Sequence, residues 1–128
     1  YKSIKVKRGN WTHDDYYWEK HGKKGRDFAQ SNLIKLSELC NKNNIKMSLV
    51  IYPWPSQIYY DLEAEKHRVF WNDWAKKNDV DFYDLFVNYS EEDKISIIEK
   101  YFISGDIHWN KIGHKFIADI LLKKYFKK

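Results

Sequence analysis

Asp106 and His108 have the types and spacing that proton transfer needs. They lie two positions apart in the run Ser104-Gly105-Asp106-Ile107-His108-Trp109-Asn110. In an extended segment, residues i and i+2 project to the same side. The carboxylate can then accept a hydrogen bond from Nδ1–H of the imidazole. Such a bond fixes the tautomer and stabilises the imidazolium. The other ring nitrogen, Nε2, is left to take a proton from a hydroxyl. Asn110 is a good helix N-cap, and the helix that follows would hold the pair on a rigid element. The competing reading is structural: Asp-x-His beside an N-cap is also ordinary loop chemistry between two elements.

Other reactive side chains give weaker patterns. A metal site on Asp106, His108 and His114 is disfavoured, because an i, i+6 pair does not stack on one helical face. His114 reads as structural, one turn into the last helix. His13, His21 and His67 have no evident partner and read as surface residues. Ser56 is an alternative nucleophile, but it lies in a proline-flanked loop without the small residues a nucleophile turn wants. Cys40 is the single cysteine, which allows neither an internal disulfide nor a cysteine zinc site. No metal and no cofactor is expected.

The elements that would position the pair follow from hydrophobic spacing. Residues 1–23 are the least regular: Ile4 and Val6 alternate with lysines as a short edge strand would. Thr12 or Asp14 could cap a helical turn before His21. Residues 24–43 are helical, with Ala29, Leu33, Leu36 and Cys40 on one face. Residues 45–52 are nearly all apolar and read as a strand covered on both faces. Pro53 and Pro55 stop that strand, so the segment Tyr52 to Gln57 sits at its C-terminal end, where open α/β sheets bind ligands. There Gln57 could donate to a substrate and Trp54 could pack on it. A helix over residues 60–77 would bury Leu62, Val69, Phe70 and Trp74. Residues 80–86 form a second strand. A helix over 90–101 follows, with Ser90 and Asp93 resembling a capping box. In the last helix Ile112, Phe116, Ile117, Ile120 and Leu121 make an apolar stripe behind Asn110.

Such alternation argues for an α/β layer fold on a parallel sheet. Its length of 128 residues suits one domain, residues 1–128. The composition, 43% hydrophobic and 32% charged, suits a packed core. No apolar run approaches the roughly 18 residues of a membrane span. Two strands are few for so many helices, and the only methionine is Met47. Further strands are therefore expected ahead of Tyr1. The net charge of +5 comes largely from lysine groups near both ends, with acidic residues between. It reads as a solvated surface, and no nucleic-acid partner is expected. The 6 Trp, 10 Tyr and 7 Phe suit a core or a groove. Trp-rich loops also suit sugar faces.

The block from Gly105 to Asn110, with Gly113 and His114, resembles the last motif of the SGNH/GDSL hydrolase superfamily. The family's usual spacing is Asp-x-x-His. The closer Asp106-x-His108 followed by Trp109 resembles its alginate O-acetyltransferase-like branch. The likeness extends over residues 25–126 as a fold pattern and over about ten residues as a specific motif. It implies a three-layer, flavodoxin-like parallel sheet, of which this chain would be the C-terminal portion. It also implies that Asp106 orients His108, the general base of a Ser-His-Asp triad. Neither the family's Gly-Asp-Ser block nor its Gly-x-Asn-Asp block is found here, so the serine is expected upstream of Tyr1. The implied activity is a serine esterase or O-acyltransferase acting on acylated carbohydrate of the cell envelope or periplasm. Trp54, Gln57 and Trp109 would touch substrate, and a segment ahead of Tyr1 could associate with a membrane. The alternative is a non-catalytic carbohydrate-binding or assembly domain of the same shape.

Overall fold

In the computed structural model, residues 11–89 and 93–126 are described. The first helix, α1, joins Asp15–Tyr17, a π-helical turn Trp18–Gly22, and Lys23–Lys42. Asp14 caps it, its carboxylate accepting from the Tyr17 N–H at 3.1 Å. Asn44 closes it with φ 56°, in the left-handed region that asparagine tolerates. The inward row of α1 includes Ala29 and Leu33, then Ser37, which is buried, whereas Leu36 is 46% exposed. The Ser37 hydroxyl avoids a burial penalty by donating to the Ile34 carbonyl at 2.8 Å. The expected edge strand at Ile4 and Val6 lies outside the described residues, as does Ser90.

The strands β1, Ser48–Ile51, and β2, Asp81–Asp84, pair in parallel, Ser48 opposite Asp81 through Ile51 opposite Asp84. Both are shorter than their apolar runs. β1 is not covered on both faces: Leu49 and Ile51 turn inward, while Ser48 and Val50 are exposed. Between the strands run α2, Pro55–Tyr60, and α3, Glu65–Lys77, in place of one helix over 60–77. Pro55 ends the strand but also begins α2, since proline at N1 has no N–H to leave unpaired. The break falls at Ala64, whose φ is 41°. There the Asp61 carboxylate accepts from the Ala64 N–H at 3.1 Å.

Two apolar clusters hold these elements together. One gathers Ile51, Trp71, Trp74, Ala75, Val80 and Phe86. The other gathers Ile58, Leu85, Tyr89 and Phe102 with residues of α4, Lys94–Tyr101, and α5, Lys111–Ile120. Leu85 and Phe86 are adjacent in sequence but enter different clusters, so the end of β2 pins both. Each large side chain so buried contributes about 1.5–3 kcal/mol.

Two expectations for α3 are corrected. Val69 is 50% exposed, because Trp71, Trp74 and Ala75 set the inward face and Val69 falls outside it. His67, on that inward face, is enclosed by Trp11, Trp71 and Phe86 rather than lying on the surface. The N-cap of α4 is Asp93, whose carboxylate accepts from the Ser96 N–H at 3.0 Å.

Candidate active site

The segment between α4 and α5 leaves and returns at nearly the same point. Phe102 and Trp109 form an antiparallel bridge, and the Ile103 N–H donates to the His108 carbonyl at 2.9 Å. Inside that ring the Asp106 N–H donates to the Ile103 carbonyl at 2.9 Å, closing a four-residue turn. Gly105 has φ 81°, the value a type II turn requires at its third residue and that glycine adopts without strain. The bend that follows, rather than an extended strand, brings the two side chains together.

Asn110 ties the loop down from both sides. Its side-chain oxygen accepts from the N–H groups of Ile112 at 2.8 Å and Gly113 at 2.9 Å, capping α5. Its amide nitrogen donates to the carbonyls of Lys100 at 2.9 Å and Phe102 at 3.1 Å, satisfying the end of α4. Gly113 is needed for this approach, because a Cβ there would collide with the Tyr101 carbonyl oxygen.

The Asp106 carboxylate oxygen Oδ1 lies 2.8 Å from His108 Nδ1 and accepts from the Ile107 N–H at 2.6 Å. The His108 contact, then the Ile107 N–H, hold the carboxyl below its ordinary range. It is therefore a carboxylate at neutral pH and can fix the imidazole orientation. The His108 side chain is 71% exposed, so its far edge is open to a reacting group.

Trp109 points inward. Its ring meets Tyr52 at 4.3 Å and His114 edge-on at 5.6 Å. Its indole N–H and the Tyr89 hydroxyl are both buried without a well-formed hydrogen bond. Burial pushes the Tyr89 hydroxyl far above the usual phenol range, with the Trp109 indole opposing. Tyr52 ends the apolar run, so the C-terminal edge of β1 does lie against the loop. The aromatic residue that meets Trp109 there is Tyr52, not Trp54. A signal for Tyr52 was its place as the last residue before Pro53.

Trp54 is half-buried and precedes α2. Its N–H donates to the Gln57 side-chain oxygen at 2.9 Å. The Gln57 amide nitrogen donates to the Thr12 hydroxyl at 3.1 Å. Gln57 is 4% exposed, so its amide braces the start of α2 and the segment at Thr12. Ser56 is 2% exposed and offers no accessible hydroxyl. Among the described residues, no serine hydroxyl is hydrogen-bonded to His108, and no group of three histidine, cysteine or acidic side chains could hold a metal. No helix among them is long and apolar enough to cross a membrane.

Compared with protein-family models, with curated proteins and with solved structures, the chain matches none.

Proposed function

We propose that Asp106 and His108 are the acid–base half of a serine ester-transfer site, in an SGNH-like esterase or O-acyltransferase acting on acylated carbohydrate. The observation that carries this reading is the 2.8 Å contact between Asp106 Oδ1 and His108 Nδ1, in a loop closed by main-chain bonds with the imidazole open to solvent. A serine from outside the given sequence attacks the acyl carbonyl, and His108 Nε2 takes its proton. His108 returns that proton to the leaving alcohol as the acyl-enzyme forms. Water or a sugar hydroxyl then accepts the acyl group. Asp106 acts through His108 as the positioning residue. Backbone N–H groups beside the serine hold the oxyanion. Tyr52, 39% exposed and packed on the inward-pointing Trp109, is the aromatic surface offered near the loop to a sugar face. A three-layer parallel sheet belongs to the same proposal. Parallel pairing of β1 with β2 supports only the parallel sense of that sheet, and the contact between Trp109 and Tyr52 supports the loop's place at the C-terminal end of β1.

The test is His108→Ala in the full-length protein that carries the serine. Ester turnover falls by roughly 10⁶-fold, with circular dichroism and thermal melting unchanged. Full activity in this variant overturns the assignment. The rival is a non-catalytic carbohydrate-binding domain, favoured by the lack of a described serine bonded to His108. It is selected if the wild type turns over no ester while glycan binding persists in His108→Ala.

A further inference from the structure

On the α1 and α3 side of the molecule, a cavity of about 490 Å³ opens between Trp11, Gly22, Gly25, Arg26, His67 and Trp71. Its size falls in the range of small-molecule sites, which are mostly apolar with a few placed polar groups. The polar group here is unusual. Arg26 is 6% exposed, and among the described residues no carboxylate lies within ion-pair distance of it. Glu19 and Asp27 act on it only from farther away. Its guanidinium lies 3.5 Å from the Trp18 ring centre, and Nη1 donates to the Trp18 carbonyl at 2.7 Å. Arginine carries five N–H donors in one plane, so this stack fixes the plane while satisfying one donor. A buried cation with no carboxylate in contact is costly, and an anion beside it relieves that cost.

The walls define the rest of the ligand. Trp11 and Trp71 both meet His67 edge-on, at 5.4 and 6.5 Å. The His67 Nδ1 is buried without a hydrogen-bond partner among the described residues. Burial, then repulsion from Arg26, hold its pKa down to about 4, so it adds no second positive charge at neutral pH. Arg26 is therefore the permanent cation of an aromatic chamber whose rim also carries His21. Gly25 is exposed at the rim of the cavity, and a Cβ there would meet nothing within 4 Å, so the mouth is open on that side. The adjoining Trp18–Gly22 stretch of α1 is a π turn, a feature frequent at functional sites.

We infer that this cavity binds a small organic monoanion with a flat apolar body, an aromatic carboxylate, its charge on Arg26 and its ring between Trp11 and Trp71. The inference goes beyond the ester-transfer reading and does not depend on it.

The probes are phenylacetate, its neutral analogue phenylacetamide, and acetate, titrated into the ¹⁵N-labelled full chain. The readout is the Arg26 side-chain N–H resonance and the Trp11 and Trp71 indole resonances. Phenylacetate is expected to shift all three and to bind at least about tenfold more tightly than either control. Arg26→Met removes that preference over the amide. Gly25→Leu narrows the mouth and weakens binding at least about tenfold, while the protein stays folded because the rim is exposed there. Gly25→Leu therefore decides the matter even if Arg26→Met does not fold. Equal binding of the amide or of acetate overturns the inference. So does undiminished binding in Gly25→Leu, or no shift with any probe.

Discussion

The loop holding Asp106 and His108 and the cavity around Arg26 and His67 gather polar groups by opposite means. The loop is built from near neighbours: Asp106 reaches His108 two residues on, and Asn110 reaches back to Lys100. The cavity is built from α1, α3 and the segment at Trp11, with no short-range bond to announce it. His108 in the loop is largely exposed, whereas Arg26 in the cavity is buried. Asp106 and His67 both have lowered pKa values, for different reasons. Hydrogen bonds to the carboxylate favour the charged form of Asp106. Desolvation favours the neutral form of His67. One shift preserves a charge for use at the surface, and the other suppresses a charge inside.

The strongest test of that contrast is acid unfolding. The folded His67 pKa is about 4, below the ordinary value of about 6.5, so the unfolded chain binds the proton more readily. The His67 contribution is therefore fully present above the ordinary histidine range and is lost as pH falls toward 4. Urea unfolding should lose roughly 3 kcal/mol between pH 7 and pH 4 from this group. His67→Phe should flatten that part of the profile. An unchanged slope would mean that the cavity is as wet as the loop.

A smaller effect is expected from Asn110→Ala. The cap on α5 and the bonds to the Lys100 and Phe102 carbonyls are lost together. Urea unfolding should show about 1–2 kcal/mol, with faster amide exchange confined to the loop and the facing ends of α4 and α5. Exchange that also quickens around Trp71 would break the separation of the two regions.

The smallest effect is the titration of Asp106. Its lowered pKa stabilises the loop above the ordinary carboxylate range, and that contribution is lost as pH falls through the lowered folded value. The Asp106 carboxyl ¹³C shift and the Ile107 amide shift should titrate together, below the usual aspartate range. The global melt should not follow them. A cooperative loss of structure with the Asp106 titration would show that the loop holds up the fold.

Legibility divides along the same line. Asn110 as a cap, Phe116, Ile117 and Ile120 on the inward side of α5, the Asp106–His108 contact and the two strand positions could all be read, because each rests on residues a few positions apart. Ile112, expected on the same stripe, is 57% exposed. The bend that makes the contact was read as an extended segment, since i, i+2 geometry fits both. Val50 is exposed within an apolar run, because a run of apolar residues does not say which neighbours are present. His67 could not be placed from its own surroundings: its partners Trp11 and Phe86 come from elsewhere in the chain. Pro55 was read only as a stop, although the same fixed φ that ends a ladder can begin a helix.

The π turn at Trp18–Gly22 acts as a phase shifter. In an uninterrupted α-helix each residue advances about 100°, so Trp18 and Arg26, eight positions apart, would point roughly 80° away from each other. The wider turn absorbs one residue, and the two side chains stack instead. Periodicity counted across this stretch therefore runs out of step. Removing a single exposed residue from it would return the helix to its ordinary count and change the rotational setting of everything before the turn relative to Arg26. That one surplus residue sets the timing between the two ends of the helix, much as a vernier does between two scales.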